Sequence, residues 1–147
     1  MPKHLGRLTH AILRMSAGAL FMQHGLQKLF GLFGGVGAPG GTVPLISQMG
    51  VAGVLEFVGG SLIVLGLLTR PVAAVLLVEM IAAYLLVHAP QGGWSIQNQG
   101  ELALLYSAVF LFLVGNGGGA YSMDGLMPVL NAYDRRRTDD RRERMAA

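Results

Sequence analysis

The chain contains no cysteine. That absence excludes disulfide staples, thiol catalysis, cysteine-ligated iron–sulfur clusters and covalent c-type haem, while leaving the redox compartment open. No intrinsic cofactor is implied, so any redox role has to borrow one. Charge is also scarce: 13% of the 147 residues are charged against 52% hydrophobic, and the mean hydropathy is +0.52, a balance that resists solution in water. The net charge of +3 does not describe a basic surface, because six of the eleven Lys and Arg residues lie between Arg135 and Arg144. Asp134, Asp139, Asp140 and Glu143 are interleaved with those arginines and no aromatic follows Tyr133, so nucleic acid is not an expected partner. Contact of this tail with anionic lipid is expected instead.

What is present is apolar sequence long enough for one domain, cut by glycine and proline into segments. The first, about 8–30, is long enough at the helical rise to cross a hydrocarbon core of about 30 Å. Its apolar stretch is interrupted by His10, Arg14, Gln23, His24 and Lys28, which argues against a cleavable signal peptide. The glycine-rich stretch 31–50 reads as a loop and lacks the spacing of a phosphate loop. A second span follows at 51–68. Thr69, Arg70 and Pro71 break it, and proline suits the first turn of a third span at 71–87. Pro90, Gly92 and Gly93 make a turn, beside which Trp94 suits a membrane–water interface. A fourth span at 99–115 opens with Glu101 near the positive helix N-terminus. The glycines at 115–119 end it, and 126–133 reads as a short interfacial piece.

The expected fold class is therefore all-α: an integral membrane four-helix bundle over 1–133, followed by a charged tail at 134–147. Lys3, Arg7, Arg70 and the tail arginines all fall on one side of four spans, and the two opposite loops hold no Lys or Arg. Positive residues are retained in the cytoplasm, so both termini are expected there. An odd number of spans would separate the N-terminal basic residues from the tail.

Ionisable residues inside a bilayer need a partner or a use. Arg14 and Glu79 both sit roughly 10 Å from the inner ends of their spans, which predicts an intramembrane ion pair. His24 and Lys28 match Glu56 in the outer half, predicting a second. Arg14, Gly18, Phe21, Gly25 and Lys28 share one helical face, whose glycines permit close approach of another helix. His24, Gln27 and Lys28, with Glu56, His88, Asn98, Glu101 and Tyr106, are expected to gather near the outer surface as a ligand or proton site. Pairing that only fixes helix register is the competing reading. His10 lies in the other half from His24 and His88, so no metal or haem site is expected.

Taken in order, Gly25, Lys28, Leu29, Phe30 and Gly31, then Glu56, Gly59, Gly60, Leu62, Gly66, Thr69 and Arg70, resemble the DoxX family of small bacterial and archaeal membrane proteins. His88, Pro90, Asn98, Gly100, Glu101, Tyr106, Gly117, Gly119, Ser122 and Asp124 continue the likeness, which covers about 8–125. Gln99 departs from it where the family commonly has glycine, so the outer turn is expected to differ. The resemblance implies a multi-pass protein of the cell (inner) membrane. It also implies membership of a quinone-linked oxidoreductase or an oxidative-stress complex, with a soluble or membrane redox partner; a homo-oligomer is expected where four helices are too few to wall a transport path. On that reading Lys28 or His24 donates to a quinone carbonyl and Glu56 takes part in proton exchange. A small-solute transporter or channel, with Glu79 and Arg14 continuing the path inward, and a non-catalytic scaffold are the alternatives.

Overall fold

The computed structural model describes residues 3–128, and among these every regular element is helical, with no β-strand. Helix α1 spans Lys3–Phe30. A 3-10 turn at Leu32–Gly34 and an isolated bridge between Gly35 and Gly41 shape the loop that follows. Helix α2 spans Gln48–Leu65 and α3 spans Thr69–Gln91, and both are long and apolar enough to cross a membrane. Helix α4, Glu101–Asn116, is apolar but only 16 residues long. The tail at 134–147, with Arg135 to Arg144, lies outside the described residues, as does the end of the 126–133 segment.

The helix boundaries have local causes. The Ser47 hydroxyl accepts from Gly50 N at 3.0 Å, an N-cap that starts α2 ahead of the expected Val51. Gly66 ends it at φ 66°, ψ 40°, a left-handed C-cap that glycine adopts without a Cβ penalty, so the helix does not reach Leu68. Helix α3 passes the expected end at Val87 through a π-type turn at Tyr84–His88 and a 3-10 turn at Ala89–Gln91. Helix α4 begins at Glu101 and not at 99, because Gln99 is left-handed (φ 57°) and the Asn98 side chain accepts from Gly100 N at 2.9 Å.

Two pairs of glycines set how α1 meets α2. Gly18 lies against Gly60 and Gly25 against Gly53, which fixes an antiparallel pairing. A methyl group on Gly18 would fall 2.8 Å from the Gly60 carbonyl oxygen, and one on Gly25 2.6 Å from that of Gly53, so the backbones touch only because neither residue has a side chain. The core is completed by Ala73, Leu76 and Met80 of α3 and by Ala103, Tyr106, Phe110 and Leu113 of α4, each set recurring at three- and four-residue intervals. Phe21 of α1 joins them edge-on to Tyr106 and Phe110, at 4.9 and 5.0 Å between ring centroids. Away from this seam large apolar side chains such as Val78, Leu105 and Leu111 face outward, as a lipid solvent would have them.

Candidate functional site

The spacing of Lys28 and Glu56 predicts an ion pair, and the structure forms it: Lys28 Nζ donates to Glu56 Oε1 with both side chains largely buried. Side chains on a helix lean toward its N-terminus. Lys28 therefore reaches back down α1 while Glu56, on an antiparallel helix, reaches up to meet it. Glu56 lies in a π-type turn, Leu55–Gly59, whose wider winding re-aims side chains locally.

Glu79 faces this pair and not Arg14. It stands within electrostatic reach of Glu56 and Lys28, and among the described residues neither of its buried carboxylate oxygens has a hydrogen-bond partner. The predicted Arg14–Glu79 ion pair is absent. Depth alone suggested it, but the backward lean of an α1 side chain carries the Arg14 guanidinium toward the end of α2. There Nε donates to the Gly118 carbonyl at 3.1 Å, Nη1 to those of Ile63 and Val64 at 2.5 Å each, and Nη2 to Tyr121 at 2.6 Å. Arg14 is 1% exposed and serves as a C-cap for a helix other than its own.

The same junction is closed from the other side by Asp124. Its two oxygens accept from Leu68 N and Thr69 N, both at 2.8 Å, at the start of α3. Leu68 holds the cap position with a left-handed backbone (φ 51°) and supplies no side-chain cap, so Asp124 fills that role from 55 residues away. Burial pushes the Asp124 carboxyl upward, but the hydrogen bonds from Thr69 and Leu68 and the nearby Arg14 charge outweigh it and hold it below the usual aspartate range. His10 adds a contact of 3.1 Å between Nε2 and the Gly117 carbonyl. Sequence reasoning missed these roles for Arg14 and Asp124; the visible signal was the glycines that keep the junction open, Gly66 beside Arg14, Gly118 beside Thr69 and Ser122, and Gly119 beside His10.

The expected outer cluster divides in three. His24, Gln27 and Tyr106 line an open cleft of about 280 Å³ together with Leu20, Gln23, Phe33 and Leu102. Its polar groups come from one face of α1 and from α4, and the His24 and Tyr106 rings meet edge-on at 6.3 Å. Phe33 reaches it from the glycine-rich loop in a left-handed conformation (φ 52°, ψ 33°), a state costing an L-residue about 1–2 kcal/mol. Lys28 and Glu56 stand close by, within electrostatic reach of His24 and Tyr106 respectively. His88 and Asn98 instead build the turn before α4: His88 Nδ1 lies 2.9 Å from the Asn98 carbonyl, and Asn98 Nδ2 donates to Gly92. Asn98 is 1% exposed and its side-chain donor and acceptor are both used in the turn. Glu101 is exposed in the first turn of α4 and joins neither group. Among the described residues no cluster of metal-ligating side chains occurs.

These features are those of an all-helical protein with two helices long and apolar enough to cross a membrane, a largely buried Lys28–Glu56 pair between helices and a cleft beside it. The chain belongs to the DoxX family, whose sequence model matches residues 9–89. It is 43% identical over 121 residues to an uncharacterized protein of Haemophilus influenzae, covering 78% of this chain and 87% of the relative. It is 30% identical over 142 residues to an uncharacterized membrane protein of Mycobacterium tuberculosis, covering 80% and 85%. No solved structure matches the chain.

Proposed function

We propose that all four helices cross the cell (inner) membrane as one bundle with both termini in the cytoplasm, and that the cleft receives a quinone head group. The chain then acts as a non-autonomous membrane subunit of an oxidoreductase or oxidative-stress complex, with electrons exchanged through a soluble or membrane redox partner. The topology is supported by the charge distribution, since the loops after α1 and after α3 contain no Lys or Arg. Helix α4 spans about 24 Å at the helical rise, so on this reading the bilayer thins locally or the turns at its ends enter the headgroup region.

The observation that carries the quinone reading is the cleft wall: four side chains able to donate hydrogen bonds, Gln23, His24, Gln27 and Tyr106, set among Leu20, Leu102 and Phe33. A quinone head group is a flat ring with two carbonyl acceptors, and a cleft of about 280 Å³ lies near the lower end of small-molecule sites, suited to a head group with its tail in lipid. When bound, it supplies two-electron, two-proton redox chemistry. His24, Gln27 and Tyr106 orient it and donate to its oxygens, and the apolar residues exclude water from that face. The transport reading loses its inner step, because the Arg14 guanidinium is committed to four carbonyl oxygens.

The test is titration of the protein in nanodiscs with a water-soluble quinone analogue. We expect saturable binding, weakened at least tenfold by H24A and by Q27A and unchanged by Q91A in the distant turn. Equal affinity in wild type and H24A/Q27A would remove the quinone site.

A further inference from the structure

Lys28 is one positive charge facing two carboxylates. Glu56 gives Oε1 to Lys28, but its Oε2 is buried without a partner, and so are both oxygens of Glu79, among the described residues. The two glutamates lie at matching depth. At the helical rise, Glu56 is about 14 Å from the inner end of α2 at Leu65 and Glu79 about 15 Å from that of α3 at Thr69. With both ionised the cluster would carry an uncompensated negative charge inside the bundle, and Glu79 would be a carboxylate with no donor, an expensive arrangement away from water.

We propose that Lys28, Glu56 and Glu79 form a proton-binding site that holds one exchangeable proton, carried by Glu79 and directed toward Glu56. One proton removes the excess charge and supplies the donor that Glu56 Oε2 lacks, directly or through a water. Like-charged carboxyls brought close together behave this way, because both cannot ionise at once. The groups facing Glu79 are Glu56 from α2 and Lys28 from α1. Beyond them stand His24, next to Lys28, and Tyr106 of α4, next to Glu56. His24 and Tyr106 also border the cleft, so the site lies one residue away from whatever the cleft binds. The ammonium of Lys28 disfavours a metal cation in the proton's place. The inference rests on the placement of the helices in a membrane and not on the quinone.

The experiment is infrared difference spectroscopy of the full chain in nanodiscs, without quinone, following the C=O stretch of a protonated carboxyl as pH is raised from neutral. We expect a band in wild type that bleaches with rising pH and shifts in D2O. E79Q and E56Q both lose it, since either leaves one carboxylate matched to one ammonium. K28M roughly doubles it, since both carboxyls then hold protons. The proposal is overturned if wild type shows no such band at neutral pH, if the band appears only when sodium and potassium are withdrawn, or if it survives in E79Q. The wild-type titration and its cation dependence stand even if a variant fails to fold. Loss of quinone-analogue binding in H24A with this band intact would separate the cleft from the proton site.

Discussion

Asp124 caps a helix that begins at Leu68, a residue with no capping group of its own, by accepting the Leu68 and Thr69 backbone N–H groups at 2.8 Å each. Together with Arg14, which takes the last carbonyls of α2, it closes the α2–α3 turn from both polarities. The turn contains Gly66, where a methyl group would lie 3.0 Å from Arg14 Cζ.

A pH dependence follows from that cap. The folded-state pKa of Asp124 is held below its ordinary value, so its contribution is fully present above the unfolded value of about 3.9 and is lost as pH falls through the folded value. Thermal unfolding in detergent should show this acid loss in wild type and not in D124N. D124A should cost about 1–2 kcal/mol near neutral pH, the usual worth of an N-cap.

Removing Arg14 should destabilise the protein far more than removing a surface arginine. R14M leaves several buried carbonyls unpaired, at about 1–3 kcal/mol each. R14K should recover little, because an ammonium cannot address four oxygens spread over two segments. A double-mutant cycle between Arg14 and Glu79 should give coupling below about 0.5 kcal/mol, the value for residues that share no contact. A coupling of several kcal/mol would restore the predicted ion pair.

The Lys28–Glu56 pair should behave asymmetrically. K28M takes the ammonium from a buried carboxylate, so Glu56 must hold a proton in its place, at a cost that grows with pH toward about 3–5 kcal/mol. K28M/E56Q should regain most of that loss. Denaturation of all three variants at two pH values measures both effects: the K28M penalty shrinks as pH falls.

Close approach of α1 and α2 depends on Gly25, whereas Gly6 on the same helix has nothing within 4 Å of an added methyl group. G25A should cost at least about 1–3 kcal/mol by overpacking. G6A should be neutral or stabilising by up to about 1 kcal/mol, from helix propensity alone. Unfolding midpoints of the two variants compare them directly.

Helix order, the glycine contact face and the Lys28–Glu56 pair were legible because they depend on local periodicity and on depth along a helix. Depth does not fix azimuth or the lean of a side chain, which is why matching depths pair Arg14 with Glu79 while the structure turns Arg14 to the end of α2. The π-type turns at Leu55–Gly59 and Tyr84–His88 have no simple sequence signature, and they shift the register that a regular wheel assumes. Asn98 and His88 looked like site residues because polar residues near an outer surface look alike in sequence. Their hydrogen bonds inside one turn become visible only when Gln99 is seen to be left-handed.

On the proposed reading the cleft beside the Lys28–Glu56 pair holds a membrane quinone on behalf of a redox partner. Native mass spectrometry of the protein gently extracted from its own membrane tests it most directly. We expect a retained quinone or redox enzyme in wild type, with the quinone lost from H24A/Q27A. Retention of bulk lipid alone, identical in wild type and variant, would contradict it.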